Sequence, residues 1–296
     1  MMAGAGQTLI RTENLTCCYG NLAVLKNISL EITKGECVAI IGQNGAGKTT
    51  LAKHFNGLLK PSSGKVYIKG RDTAPLKVSE LARTVGYVFQ NPDHQIFHDT
   101  VAKEVAFGLK NLRLAGREVA ERVAAALEAV GLSEYCQAHP YSLSKGQRQR
   151  VALASVLAMQ TEAIVLDEPT TGQDYRESVQ IMDMVKALNE KGHTIVFITH
   201  DMSLVARYAK RVIVLCKGEI LADGDGRSIL TRPDLLKKTC LYPPQITALA
   251  QALAKYAITP DVLSVEEMYE KLQKLRGEKN WPLQLSIFQK NPRFTV

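Results

Sequence analysis

An α/β fold with a mostly parallel sheet is predicted by three observations. The runs 37–41, 163–166 and 194–198 are short, apolar and rich in β-branched residues, so each reads as a strand buried on both faces. Longer segments at 118–130, 144–159 and 177–191 have helical spacing or composition and alternate with those strands. The first buried run leads into Gly42-Gln43-Asn44-Gly45-Ala46-Gly47-Lys48-Thr49, which fits G-x-x-x-x-G-K-[ST], the phosphate-binding loop between a strand and a helix. Residues 50–55 continue without Gly or Pro and supply that helix. The glycines let the main chain approach a phosphate without a Cβ in the way. The N–H groups at the helix start then point at the anion. Lys48 is expected to reach the β- and γ-phosphates and the Thr49 hydroxyl to bind Mg²⁺. Gly42, Asn44, Gly45, Gly47 and Thr50 complete the expected cradle.

The chain has 296 residues, which suits one large domain or a domain with an appendage. Apolar residues make up 46% of it, enough for a true core. There is no apolar run of membrane-spanning length, and the first residues lack the basic start and apolar stretch of a signal peptide. Six cysteines occur without a C-x-x-C pair, and Cys37 and Cys216 lie inside apolar strands as small core residues, all of which fits a reducing cytosol. The net charge of +8 is scattered, with no block of five basic residues, so it does not mark a nucleic-acid surface.

Along the chain, residues 9–19 alternate weakly and 26–32 more clearly, which predicts two antiparallel strands joined at Gly20-Asn21. Pro61-Ser62-Ser63-Gly64 predicts a turn, 65–68 a short strand, Gly70-Arg71-Asp72 a turn and 85–89 a strand. An antiparallel β subdomain therefore surrounds the first part of the nucleotide core. Residues 91–114 show no single period. The segment 118–130 places Val119, Val123, Leu127 and Val130 on one face and closes at Gly131. Together with the Ala-rich 144–159 it forms a helical subdomain at about 91–160. A short helix at 203–208 and a hairpin of 211–215 with 219–222 end the core.

Asp223-Gly224-Asp225-Gly226 marks a boundary. It divides a nucleotide-binding domain, 1–225, from a small α-helical C-terminal extension, 226–296. In the extension, 245–256 is amphipathic through Ile246, Leu249, Leu253 and Ala257. Ser264-Val265-Glu266-Glu267 has capping-box spacing, and Val265, Met268, Leu272 and Leu275 recur at helical spacing. Two short helices bury little alone. Exposed faces at Leu249/Leu253 and Leu272/Leu275 are therefore expected to meet a second subunit, and the nucleotide groups to lie before the boundary. The tail 280–296, with Trp281, Phe288 and Phe294 among basic residues, is expected to be loose or docked on a partner.

Ile164-Val165-Leu166-Asp167-Glu168 ends a strand in two acids. Such a pair is also a common helix start. Behind a phosphate-binding loop the first acid orders Mg²⁺ and the second can activate water. About one helix earlier stands Leu143-Ser144-Lys145-Gly146-Gln147, which resembles the signature of the ABC ATPases, usually Leu-Ser-Gly-Gly-Gln, with Lys145 where Gly is usual. The set covers roughly residues 8–226 and implies a P-loop NTPase of the ABC ATPase type that uses ATP and Mg²⁺. By that resemblance Ser144, Gly146 and Gln147 meet the γ-phosphate of ATP held by the other subunit. Tyr19 stacks on adenine, Gln90 contacts Mg²⁺ and water, Asp174 is the D-loop residue, and His200 contacts the γ-phosphate. The D-loop departs from the usual pattern at Gln173 and Tyr175. Glu168, His200, Lys48 and Gln90 form the implied catalytic set, with Thr49, Gln90 and Asp167 around Mg²⁺.

Asn91-Pro92-Asp93-His94-Gln95-Ile96-Phe97, the stretch Thr100 to Gly108, Asn111-Leu112 and Pro243-Pro244-Gln245-Ile246 further resemble the ATPases of energy-coupling factor transporters, which include cobalt and nickel importers. This implies an ATP-hydrolysing translocase subunit, peripheral on the cytoplasmic face of the membrane, that powers uptake of a vitamin or transition metal. Its implied partners are a second ATPase subunit, identical or paralogous, an integral membrane coupling subunit and a substrate-binding membrane subunit. No nucleic acid is expected. In the segment after Gln90, Asp93 and Gln95 are expected to be exposed and free to meet the membrane partner. The other reading is a helix start whose Ile96 and Phe97 fill the core. A chromosome or nucleic-acid ATPase of the same superfamily is the alternative, but no heptad run separates residues 50 and 142 and only one phosphate-binding loop is present. A nucleotide switch without turnover is a third class, against which Glu168 and His200 speak. The transported substrate is not legible, because in that family a separate membrane protein selects it.

Overall fold

The computed structural model describes residues 7–256 and 258–277. Strands β1 (Thr8–Tyr19) and β2 (Leu22–Thr33) pair antiparallel around Gly20. Strand β3 (Cys37–Ile41) enters the phosphate-binding loop and helix α1 (Lys48–His54). Strands β4 (Ser63–Ile68) and β5 (Arg71–Asp72) complete a four-stranded antiparallel sheet, β2-β1-β4-β5. After α2 (Val78–Leu81) and β6 (Val85–Val88), a helical layer is built from α3 (Val101–Asn111), α4 (Gly116–Ala129) and α5 (Lys145–Ala158). The chain returns through β7 (Ala163–Asp167), α6 (Tyr175–Glu190), β8 (Thr194–Ile198), α7 (Met202–Tyr208), β9 (Arg211–Cys216) and β10 (Glu219–Asp225). The second sheet has the order β10-β9-β3-β8-β7-β6, parallel from β9 to β6 with β10 antiparallel at its edge.

Side-chain parity explains why the central strands do not alternate in sequence. In β3, Val38 and Ile40 enter a core with Leu51, Ala52 and Phe55 of the α1 segment and the inward residues of β1 and β2. Cys37, Ala39 and Ile41 enter the opposite core, against α5 and α6. The same split recurs in β7, where Ala163 and Val165 face the first core and Ile164 and Leu166 the second. Both faces are covered, so both parities must be apolar. Parallel pairing also brings the carboxyl ends of β3, β6, β7 and β8 to one edge, where ligands of open α/β sheets bind.

Several local elements differ from the sequence expectation. The stretch 91–114, without a legible period, contains α3, whose N-cap Thr100 accepts a hydrogen bond from the Lys103 N–H. Gly108 disguises this helix. It is there because Met159 packs where a Cβ would stand, with its sulfur 2.7 Å from that point. The expected turn at 70–72 closes at Lys69-Gly70, and Arg71–Asp72 pair with β4 instead. Helix α2 was not legible either, being a single turn.

The chain does not leave the core at residue 226. Helices α8 (Gly226–Leu230) and α9 (Pro233–Lys237) place Ile229, Leu230, Leu235 and Leu236 in the large core beside α7. The helices α10 (Gln245–Ala252) and α11 (Val265–Gly277) then bury a small cluster of Ala250, Ile258, Val262 and Met268. Leu253, Leu272 and Leu275 pack against that cluster, so the expected exposed stripe is mostly consumed internally; Leu249 remains exposed. Arg227 of α8 pairs with Glu267 of α11 and ties this unit to the core. Ala257 and the tail 280–296 lie outside the described residues.

Candidate nucleotide-hydrolysing site

The phosphate-binding loop is shaped by its glycines and by what presses on it. Gly42 has φ 153°, and a Cβ there would stand 2.3 Å from the Leu215 carbonyl oxygen of β9. Gly47, with φ 100°, caps α1, and a Cβ there would meet Leu25. Larger residues would push the loop off the sheet. Gly42, Gln43, Asn44, Gly45, Gly47, Lys48, Thr49 and Thr50 line a pocket of about 600 Å³. Gln90, Glu168 and His200 line it too, so the structure gathers residues from four separate strand ends.

Lys48 is 6% exposed, and its ammonium donates to the Gly42 and Gln43 carbonyls at 2.9 and 3.1 Å. Burial pulls its pKa below the ordinary lysine value, and Glu168 and then Asp167 pull it back up. Asp167 is held by two hydroxyls: Thr49 donates to Oδ1 at 2.9 Å and Tyr87 to Oδ2 at 2.8 Å. Burial raises its pKa against those two hydrogen bonds. Glu168 Oε2 accepts from the Gln90 amide and from the Thr171 hydroxyl, each at 2.9 Å, and His200 Nδ1 stands 3.6 Å away. The Glu168 backbone has φ 48°, a left-handed conformation that costs a non-glycine residue about 1–3 kcal/mol. Its N–H donates to the Ile198 carbonyl at 3.0 Å, which fixes β7 to β8 at the point where both acidic residue and histidine emerge.

The remaining predicted residues stand apart from this pocket. Ser144 caps α5 in a capping box: its hydroxyl accepts from the Gln147 N–H, and its own N–H donates to the Gln147 side chain. A Cβ on Gly146 would sit 3.0 Å from the Glu177 carboxylate, and the Lys145 ammonium lies over Gly172. Asp174 caps α6 through the Glu177 N–H. Residues 144–147 thus pack on residues 172–177, and Ser144, Gly146, Gln147 and Asp174 do not line the pocket. Tyr19 is 53% exposed at the end of β1 and does not line the pocket.

Three wall residues were missed by the sequence reading: Val24, Cys240 and Leu241. Cys240 and Leu241 follow α9, past the expected boundary. The hydrogen bond from the Cys216 thiol to the Lys238 carbonyl holds that segment at the carboxyl end of β9. No local pattern announces such a return.

The segment after Gln90 is also corrected. Asp93 and Gln95 are not free: Arg148 donates to the Asp93 carboxylate at 2.7 Å, and Gln95 bonds the Phe89 N–H and the Ala152 carbonyl. Arg148 also donates to the Leu143 carbonyl at 2.6 Å, so Asp93 links the Gln90 segment to the signature helix. Ile96 is buried, whereas Phe97 is 61% exposed and meets Phe107 edge-on at 4.7 Å. The buried Glu104 carboxylate accepts from the Phe97 and His98 N–H groups and fixes the backbone beneath that aromatic.

A sequence profile of the ABC transporter family matches residues 25–171. An energy-coupling factor transporter ATP-binding protein, EcfA1 of Caldanaerobacter subterraneus subsp. tengcongensis, is 45% identical over 88% of this chain and 98% of its own length. The chain belongs to the ABC transporter ATPase family. A putative ABC transporter ATP-binding protein of the same organism is 48% identical over 89% of the chain, which spans 46% of that relative, about half its length. Among solved structures, cbiO1 from Clostridium perfringens, part of the ABC transporter complex cbiONQ, superposes with a TM-score of 0.72 at 34% identity over 83% of this chain and 99% of its own. Among the described residues, no helix is long and apolar enough to cross a membrane.

Proposed function

We propose that this ABC ATPase is the ATP-hydrolysing subunit of an importer of the energy-coupling factor type, taking up a vitamin or a transition metal. The observation that carries the reading is the convergence of Lys48, Thr49, Gln90, Asp167, Glu168 and His200 on one phosphate-sized edge of the sheet. The names of the full-length relative and of cbiO1 supply the transport class.

Lys48 holds the β- and γ-phosphates, and the loop N–H groups from Gly42 to Thr50 cradle them. Thr49, Asp167 and Gln90 offer oxygen donors of the kind that suit Mg²⁺, which keeps waters and phosphate oxygens in its shell. When bound there, Mg²⁺ would neutralise phosphate charge. The Gln90 amide nitrogen is used on Glu168, which leaves its carbonyl oxygen available. Glu168 takes the proton of the attacking water, and His200 contacts the γ-phosphate. Ser144, Gly146, Gln147 and Asp174 do not line their own pocket; in this reading they act on ATP held by a second ATPase subunit, and Tyr19 stacks on adenine. The pair sits on the cytoplasmic face of the membrane against a coupling subunit and a substrate-binding subunit. Co-expression with candidate membrane subunits tests the class: the chain should purify with them and hydrolyse ATP in the presence of Mg²⁺. Purification with RNA or DNA alone would overturn it.

Phe97, with Phe107 behind it, replaces Asp93 and Gln95 as the contact offered to the membrane partner. A well-supported exposed aromatic is the common form of a binding hot spot. Phe97→Ala should weaken assembly with the membrane subunits by about tenfold or more. Basal ATP hydrolysis by the isolated chain should stay unchanged. Normal assembly of that variant would remove the docking assignment.

A further inference from the structure

The second oxygen of Asp167 is held from the neighbouring strand by Tyr87. Tyr87 lies on β6, directly beside β7, with its own backbone in register with Val165. Parallel strands carry neighbours forward together, so the ring of Tyr87 runs toward the carboxyl end and reaches the side chain two residues beyond its register partner. The phenol is buried, and its ring packs against Phe89 at a centroid distance of 4.9 Å. Its hydroxyl donates to Asp167 Oδ2 at 2.8 Å while Thr49 donates to Oδ1 at 2.9 Å.

A buried carboxylate with a donor on one oxygen only is free to turn about its Cβ–Cγ bond and leaves the other oxygen desolvated and unsatisfied. Two donors from opposite sides remove that freedom. Thr49 gives its proton to Asp167, so the lone pairs of its hydroxyl oxygen are left for another ligand. The Thr49 and Asp167 oxygens then form a fixed edge suited to a hard cation.

We infer that Tyr87 is a positioning residue for Mg²⁺: its hydroxyl locks the Asp167 carboxylate in the rotation that keeps Oδ1 against Thr49. The inference rests on the nucleotide-hydrolysing reading of the site. Tyr87 does not line the pocket, and its hydroxyl reaches the site through Asp167. Removing the hydroxyl should therefore loosen the metal and leave metal-free nucleotide contacts in place. Outer-shell partners of this kind typically carry about 10- to 100-fold in metal affinity.

The test uses the full chain with Tyr87→Phe, which keeps the ring and its packing on Phe89. Binding of a fluorescent ATP analogue is followed as Mg²⁺ is titrated, and again in EDTA. Bound Mn²⁺ is counted separately by electron paramagnetic resonance. The expected result is about a tenfold rise in the Mg²⁺ concentration for half-maximal effect, weaker Mn²⁺ binding, and unchanged nucleotide affinity in EDTA. Measurements are made below the melting transition of both proteins, so a lower melting temperature does not imitate the effect. Superimposable Mg²⁺ curves, or equal weakening with and without metal, would overturn the positioning role and leave the nucleotide-hydrolysing reading standing. A wild-type chain that binds no ATP analogue at all would overturn both.

Discussion

Glu168→Gln should retain ATP and lose about 10²- to 10⁴-fold in turnover, the range carried by a general base. The amide has the shape of the carboxylate, so the hydrogen bond from Thr171 at 2.9 Å still has an oxygen to meet. It has no basic oxygen for the proton of water. The strained backbone at φ 48° and the Ile198 hydrogen bond do not depend on the side-chain charge, so the position of residue 168 is preserved. Losing a negative charge beside the phosphates removes a repulsion, and ATP affinity should hold or rise slightly. Single-turnover hydrolysis and nucleotide binding measured on the same preparation separate the two effects. With ATP present the variant should accumulate as a closed pair of subunits, visible as a shift in size-exclusion chromatography. Wild-type turnover in a monomer that holds ATP would assign Glu168 another role.

Most of the pocket edge was legible because its residues are local motifs at strand ends. The phosphate-binding loop, the acidic pair and His200 each follow a buried strand, and parallel pairing brings those ends together without further information. The two cores follow from strands that are apolar at both parities. Three things were hidden, each for a physical reason. Helix α3 was obscured by Gly108, which answers to the bulk of Met159 rather than to backbone need. The wall contributed by Cys240 and Leu241 depends on a tertiary return of the chain. Asp93 and Gln95 look like free surface residues beside a Pro, yet two of their partners, Arg148 and Ala152, lie more than fifty residues away. Local chemistry predicted the charge and polarity of that segment but could not say what it already satisfied.

Lys48→Ala should abolish tight ATP binding, by about 10²- to 10⁴-fold, as two charge-assisted hydrogen bonds of about 1.5–3 kcal/mol each are lost. The lysine is buried at the floor of the pocket, where burial lowers its pKa and Glu168 and Asp167 oppose that effect. With Ala in its place those two carboxylates face the incoming phosphates without a fixed cation between them. Repulsion adds to the lost attraction, so the loss should exceed that of any other single residue of the loop. The Gly42 and Gln43 carbonyls also lose their donor, so the loop itself should relax. Lys48→Met keeps most of the stem that fills the pocket floor and removes the ammonium with its charge and its donors to Gly42 and Gln43, so it separates lost packing from the lost ammonium. Both variants should bind ATP weakly in equilibrium titration, while the Met variant keeps a melting temperature nearer to wild type. Unchanged nucleotide affinity in the Met variant would sink the phosphate-binding role of Lys48, since that variant has no ammonium.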